Sequence, residues 1–109
     1  MNKICHIISG LGDGGAEAVL YRICLYDQRA EHVVVSLKGH GKYYALLQSI
    51  GIDVHIIGMR GNTLDFGRFI VLCRLLCDLK PFAVQTWMYH ANLFGGIAAR
   101  IAGIKNIVW

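Results

Sequence analysis

The chain has 109 residues, of which 55% are hydrophobic, and its formal net charge is +4. This length allows at most one ordinary domain, and no run of ~18 apolar residues predicts a membrane span. The basic residues are scattered and lack the dense stripe with stacking aromatics that nucleic-acid binding usually shows, so we expect no nucleic-acid partner. The first apolar run is too short for a signal peptide, so we expect a cytoplasmic protein. The modest positive charge suits peripheral contact with an anionic membrane surface, or an ordinary solvated surface.

Apolar runs and helix-periodic segments alternate along the chain. The pattern predicts strands over residues 3–9, 32–37, 52–58, 82–87 and 104–109. Between them it predicts helices over residues 15–26, 42–50, 66–79 and 91–102, with stop signals at Gly51, Pro81 and Gly103. The helical spacing predicts that two sets of residues face the core, in the first helix Val19, Leu20, Ile23 and Cys24, and in the third Phe66, Phe69, Ile70, Cys73 and Leu76.

This alternation of strands and helices predicts the fold. Short connections favour an α/β class, Rossmann-like, doubly wound parallel sheet of about five strands in the order 3-2-1-4-5. In such a sheet, ligands bind beyond the carboxyl ends of strands one and four, where the direction of the connections changes. Those ends correspond to residues 9–15 and 86–92, so we look for functional residues there.

The segment after the first strand, residues 9–15, reads Ser-Gly-Leu-Gly-Asp-Gly-Gly. Glycines let the backbone approach a phosphate, and the following helix start supplies free N–H groups and a partial positive charge. Gly10, Gly12 and Gly15 also match the dinucleotide fingerprint, but strand two ends without the expected carboxylate. Lys38 near that end suits a 2′-phosphate, so an NADP-binding oxidoreductase domain stays open as an alternative, as does a tight turn without ligand.

Four further residues have two interpretations each. Glu17, in the first turn of helix one, either stabilises the helix dipole or contacts ligand. His90, directly after strand four, either binds a phosphate or sugar hydroxyl, or is structural. Trp87 offers a sugar-stacking face or fills the core, and Asn92 caps helix four or contacts ligand.

The remaining histidines and the cysteines are interpreted as structural. No zinc-type spacing is present, so we expect no metal site and assign core thiols to Cys5, Cys24, Cys73 and Cys77. We expect satisfied structural histidines at His6, His32 and His55, and an exposed one at His40.

Two segments are similar to a known family. Residues 8–17 (ISGLGDGGAE) resemble the Gly-Gly-Ala-Glu loop that opens family 4 glycosyltransferases. Residues 86–100 (TWMYHANLFGGIAAR), preceded by Lys80-Pro81, resemble the strand-four-to-helix-four segment of that family. The resemblance implies a retaining, metal-independent GT-B enzyme with two Rossmann domains. Residues 1–109 would be its incomplete N-terminal, acceptor-side domain, and the C-terminal donor-binding domain would be absent from the chain.

The resemblance also implies partners and site residues. It implies a nucleotide-sugar donor and a membrane-attached or glycan acceptor, in cell-surface polysaccharide or lipopolysaccharide assembly at the inner face of the membrane. Gly14 and Gly15 would approach the donor diphosphate, with Gly12 in the same loop. The cleft would be lined by Glu17, His90, Trp87 and Asn92. Catalytic residues are not assigned, and this chain alone is not expected to transfer sugar. A non-catalytic remnant or binding module is therefore a further alternative.

Overall fold

A computed structural model describes residues 2–8, 15–37, 41–58, 66–87, 97–104 and 106–108 of the chain. The core of the fold is a five-stranded parallel sheet with the strand order β3-β2-β1-β4-β5, which confirms the predicted class and order. The strands are β1 Asn2–Ile8, β2 Ala30–Ser36, β3 Asp53–Ile56, β4 Ala83–Trp87 and β5 Ile107–Val108. The helices are α1 Gly15–Tyr26, α2 Lys42–Ser49, α3 Phe66–Leu79 and α4, of which residues 97–101 are described.

The predicted bounds of α1 and α3 are confirmed, whereas β3 and β5 begin later than predicted. Both differences have one cause, the way in which α2 and α4 end. Gly51 and Gly103 adopt positive φ angles of 83°, and each is followed by an isoleucine whose N–H bonds back to the helix. Ile52 donates to the Leu47 carbonyl (3.1 Å) and Ile104 to the Ala99 carbonyl (2.9 Å). These bonds belong to the Schellman helix ending, so neither isoleucine starts a strand. The first part of predicted helix four, residues 91–96, lies outside the described residues.

The helices cover the sheet from both sides. One apolar cluster joins Cys5 and Ile7 of β1 to α3 and α4, through Leu72, Leu76 and Ala98 among others. A second cluster joins Ile8 of the same strand to α1 and α2. Because neighbouring residues of a strand point to opposite faces, β1 is buried on both sides, as expected for the centre of a doubly wound sheet.

The predicted inward faces of α1 and α3 are partly wrong. Val19 is 46% exposed and Ile70 is 53% exposed, whereas Leu72 of α3 is fully buried. Every residue of α3 from 69 to 73 is apolar, so the apolar periodicity does not determine which side of the helix meets the sheet. Leu20, Cys24, Phe69, Cys73 and Leu76 do pack in the two clusters. The side chain of Phe66 lies outside the described part of the chain.

All four cysteines are free, but they are not all core thiols. Cys5 and Cys24 are buried, Cys73 is half-buried and Cys77 is exposed, so the prediction is wrong for Cys77. Burial raises the pKa of Cys5 to about 12, so this thiol stays protonated and acts as a small apolar group. Within the described ranges, no helix combines the length and the apolar character that a membrane span requires.

Truncating the α3 core should destabilise the protein strongly. Leu76 is fully buried between α3 and the sheet. We expect Leu76→Ala to lower the free energy of unfolding by about 2–5 kcal/mol, because it removes apolar contacts and leaves a cavity. Ile70→Ala on the exposed side of the same helix is the matched control and should cost less than about 1 kcal/mol. Urea denaturation measures both values, and equal losses would contradict this packing of α3.

Candidate functional site

The carboxyl ends of four strands lie in one row. The register pairs Ile8 of β1 with Ser36 of β2 on one side and with Trp87 of β4 on the other, and Ser36 in turn with Ile56 of β3. The connection after β1 leads to β2, whereas β4 lies on the opposite side of β1. This change of direction between β1 and β4 is the position where open α/β sheets bind ligands.

Three of the predicted site residues lie within the described part of the chain, namely Gly15, Glu17 and Trp87. The other four, Gly12, Gly14, His90 and Asn92, lie outside the described residues, and so does Lys38.

Gly15 begins α1, and the start of α1 lies at the carboxyl edge. The helix ends near the opposite edge, because Asp27, directly after it, lies 3.3 Å from His32 near the start of β2. A Cβ atom placed on Gly15 would meet no atom within 4 Å in the described part of the chain. Among the described residues, the backbone at the start of α1 therefore borders open space, and its N–H groups and dipole favour an anion there.

Glu17 is largely buried in the first turn of α1, with 8% of its surface exposed. A carboxylate at this place interacts favourably with the N-terminal end of the helix dipole. Its low exposure favours support of the helix start, one of the two roles predicted for it.

Trp87 is half-buried at the carboxyl end of β4. Its ring packs against the cluster under α1 and α2, and its Nε1–H donates to His6 Nδ1 at 3.2 Å. Nε1–H is the only hydrogen-bonding group of an indole. The part of the Trp87 side chain that remains accessible is therefore carbon surface.

Four polar side chains form a row that runs from Trp87 through His6 and His32 to Asp27. We call this row the histidine chain. His6 Nε2 lies 2.8 Å from His32 Nδ1, and His32 Nε2 lies 3.3 Å from Asp27 Oδ2. Since Trp87 only donates, His6 Nδ1 must accept, which places the His6 proton on Nε2 and makes His32 Nδ1 the next acceptor. With His32 Nδ1 accepting, the ring proton of His32 is on Nε2, which faces the Asp27 carboxylate. The Arg29 backbone N–H, 3.0 Å from Asp27 Oδ1, lowers the pKa of Asp27 and keeps it anionic.

The structural role predicted for the histidines is confirmed for His6 and largely for His32. Both rings are buried and hydrogen-bond to each other, but His32 Nε2 lacks the alignment of a hydrogen bond with Asp27. His55 instead forms a partly exposed pair with Asp53, at 2.9 Å. His40 lies outside the described residues.

Cys24 completes a group that sequence spacing did not reveal. The ligand atoms of His6, Cys24 and His32 all lie within 4.8 Å of one another, which is a spacing compatible with a metal ion. The hydrogen bonds of the group compete with such an ion, however. His6 Nε2 lies in a hydrogen bond with His32, and His6 Nδ1 accepts from Trp87, so a metal held by His6 would have to replace these bonds. The contacts present are those of a hydrogen-bonded group in the core.

Comparisons with known proteins identify solved structures that share this fold. No protein family and no curated protein matches the sequence. The fold matches Anabaena HepE (Alr3699), solved in complex with UDP and glucose, with a TM-score of 0.78 and 21% identity over 100% of this chain and 29% of that one. It also matches Acinetobacter baumannii MurG, with a TM-score of 0.70 and 22% identity over 98% and 33% of the two chains.

A third match is the lipopolysaccharide outer core galactosyltransferase WaaB, with a TM-score of 0.68 and 18% identity over 96% of this chain and 32% of WaaB. The chain therefore spans about a third of the length of these structures. The predicted resemblance is confirmed at the level of fold: this chain shares its Rossmann-like fold with about a third of each of these structures.

The buried histidine chain predicts that stability depends on pH. Burial, and secondarily the neighbouring His32, lowers the pKa of His6 from 6.5 to about 4. Between these values the unfolded state binds more protons than the folded state, so the free energy of unfolding falls as the pH falls. The full stability is present above pH 6.5, and the slope below it approaches about 1.4 kcal/mol per pH unit.

His6→Leu should flatten this dependence, because it removes the group whose pKa differs between the two states. Urea denaturation from about pH 7 to about pH 4.5 measures the slope in both proteins. A slope that is as steep in His6→Leu as in the wild type would show that other groups cause it.

Proposed function

We propose that this chain is the N-terminal, acceptor-side part of a retaining glycosyltransferase, which moves a sugar from a nucleotide-sugar to an acceptor. The proposal is supported by the agreement between the fold of the chain and the position of its glycine-rich segment. The whole chain shares its fold with a structure solved with UDP and glucose. Its glycine-rich segment also leads into a helix start that, within the described part of the chain, borders open space at the edge where such sheets bind ligands.

The glycine-rich segment, with Gly12, Gly14 and Gly15, would receive the diphosphate of the donor. Free N–H groups at the start of α1 and the helix dipole would stabilise the negative charge that develops on the leaving diphosphate. Such fixed dipoles are often the largest contribution to catalysis and need no metal ion, so the chemistry of this edge suits a metal-independent transfer.

The acceptor would lie along the same edge beside β4. Trp87 supplies carbon surface there, and His90 and Asn92, which follow it in sequence, would supply polar contacts to sugar hydroxyls. A membrane-attached or glycan acceptor in cell-surface polysaccharide or lipopolysaccharide assembly fits the fold match with WaaB, an enzyme of the lipopolysaccharide outer core. The enzyme would then work in the cytoplasm at the inner face of the membrane, where its net charge of +4 favours anionic lipids.

The donor-binding half would lie outside this chain. The structures with the same fold are about three times as long as the aligned part, since the match covers 28–33% of them. We therefore propose that the chain acts together with a second, C-terminal domain that holds the nucleotide-sugar.

Gly15 offers a test that separates a role in binding from a role in folding. In the full-length protein that carries this chain, we expect Gly15→Leu to reduce sugar transfer at least about 100-fold, because the added side chain occupies the space that the diphosphate needs. The free energy of unfolding should change by less than about 1 kcal/mol, since a Cβ at this position meets no described atom within 4 Å. Turnover is followed by release of nucleoside diphosphate.

Val19→Leu, one turn further along α1 on its exposed side, is the matched control and should retain activity. Unchanged turnover in a stably folded Gly15→Leu protein would remove the glycine-rich segment from the mechanism.

A further inference from the structure

The histidine chain links the candidate site to the interior of the fold. It starts at Trp87 on the carboxyl edge and ends at Asp27, beside the start of β2 on the opposite edge. His6 and His32 in its middle are 1% and 5% exposed, whereas Asp27 is partly exposed. Three strands, β1, β2 and β4, and the turn after α1 therefore each contribute one side chain to this row.

We propose that His6 and His32 are positioning residues that orient Trp87, so that its indole offers an apolar wall to a sugar ring of the substrate. The proposal rests on the proposed function, because it assigns the acceptor-side contact of that same site. The part of the substrate that would contact Trp87 is the less polar face of a pyranose ring. A hydroxyl or phosphate oxygen would instead need a hydrogen-bond donor from the protein.

The direction of the hydrogen bonds supports this assignment. The Trp87 indole has one donor, and this donor is satisfied by His6 inside the fold. Turning the ring outward to donate to a substrate would leave His6 Nδ1, which is buried, without its partner, and such a loss costs about 1–3 kcal/mol. The ring is therefore held with its N–H inward and part of its carbon surface toward the edge.

The charge of Asp27 at the other end of the histidine chain favours the same order of proton positions. Asp27 is an anion beside His32 Nε2, which favours the proton of His32 on that nitrogen. His32 Nδ1 is then free to accept from His6, and His6 Nδ1 is free to accept from Trp87. The hydrogen bonds thus link the proton positions of His6 and His32 to Trp87, and Asp27, which forms no aligned hydrogen bond with His32, contributes through its negative charge.

Protonation of His6 would release Trp87. A charged imidazole has N–H groups on both nitrogens, so Nδ1–H would face the Trp87 donor. The groups that face His6 are His32 from β2, Cys24 from α1, Trp87 from β4 and, through His32, Asp27. Acid should therefore change the environment of Trp87 together with the protonation of His6.

The first part of the test observes the indole directly, without any substrate. In protein labelled with ¹⁵N, the Trp87 Nε1–H resonance is identified by its loss in Trp87→Phe, which separates it from Trp109. In His6→Leu we expect solvent exchange of this proton to be at least about 10-fold faster and its proton resonance to move upfield, because the acceptor is gone. His6→Asn keeps an acceptor oxygen near the position of Nδ1 and should restore most of the wild-type signal.

His55→Leu is the matched control, because His55 also lies on a strand and pairs with an aspartate but makes no contact with Trp87 in the described structure. It should leave the Trp87 resonance unchanged. The histidine ¹⁵N shifts of the wild type should show His6 and His32 protonated on Nε2. A Trp87 resonance that is the same in His6→Leu and the wild type, or a His6 protonated on Nδ1 at neutral pH, would overturn the proposal.

The second part measures transfer kinetics in the full-length protein that carries the chain. We expect His6→Leu to raise KM for the acceptor about 10-fold while kcat changes less than about 3-fold, since the loss concerns binding of a sugar ring and not the reacting atoms. His6→Asn should restore most of KM, and His55→Leu should have no effect.

The two parts distinguish the possible failures. A changed Trp87 resonance with an unchanged KM would show that the histidine chain orients Trp87 but that Trp87 does not position the substrate. This result would overturn the present proposal and leave the proposed function intact. A wild-type protein that transfers no sugar from any nucleotide-sugar would contradict the proposed function, and with it the sugar contact assigned to Trp87. The resonance measurement would still decide whether His6 and His32 orient the indole.

Discussion

The burial of β1 on both faces is the constraint on which the rest of the structure depends. Its residues from Cys5 to Ile8 are at most 1% exposed, and the strand is hydrogen-bonded to β2 on one side and to β4 on the other. A strand in this position has to pack against a helical layer on each face and hydrogen-bond to a neighbouring strand on each side. Its carboxyl end therefore becomes the meeting point of both halves of the sheet, and the glycine-rich segment leaves from that point.

The two faces of β1 differ in chemistry. The face toward α3 and α4 is apolar, and its side chains Cys5 and Ile7 pack in the apolar cluster with these two helices. The face toward α1 carries His6, a polar ring in a position where most folds place an aliphatic residue. Because a buried polar group without partners is costly, His6 requires partners on the neighbouring strands, and it finds them in His32 and Trp87. The need to satisfy one core residue thus connects the packing of the sheet with the orientation of a side chain at the candidate site.

The sequence predicts the architecture well because its signals are local. Alternating apolar runs and helical periods determine the element order, and glycines at the ends of α2 and α4 mark where these helices stop. The rotation of α3 was less predictable, because its run of apolar residues suits several inward faces; Ile70 is exposed for this reason and Leu72 is buried. The later start of β3 follows from a hydrogen bond of Ile52 to the preceding helix, which a strand pattern does not show.

The candidate site was predictable in position but not in its internal contacts. The carboxyl edge follows from topology, so Gly15 and Trp87 were found from their place after β1 and at the end of β4. The bond between His6 and Trp87 joins residues 81 positions apart in the chain, and no local spacing reveals it. The grouping of Cys24 with the two histidines was missed for the same reason, since it depends on how α1 lies across β1 and β2.

We propose above that this chain works as one part of a two-domain glycosyltransferase, and the intact mass of the native protein measures whether a second domain accompanies it. The protein would be captured from its source cells with an antibody against the chain and measured by mass spectrometry. Since the chain spans about a third of the structures that share its fold, we predict a mass of roughly three times 12.1 kDa. A native product of 12.1 kDa would contradict this proposal, because no donor-binding domain would then accompany the carboxyl edge of the sheet.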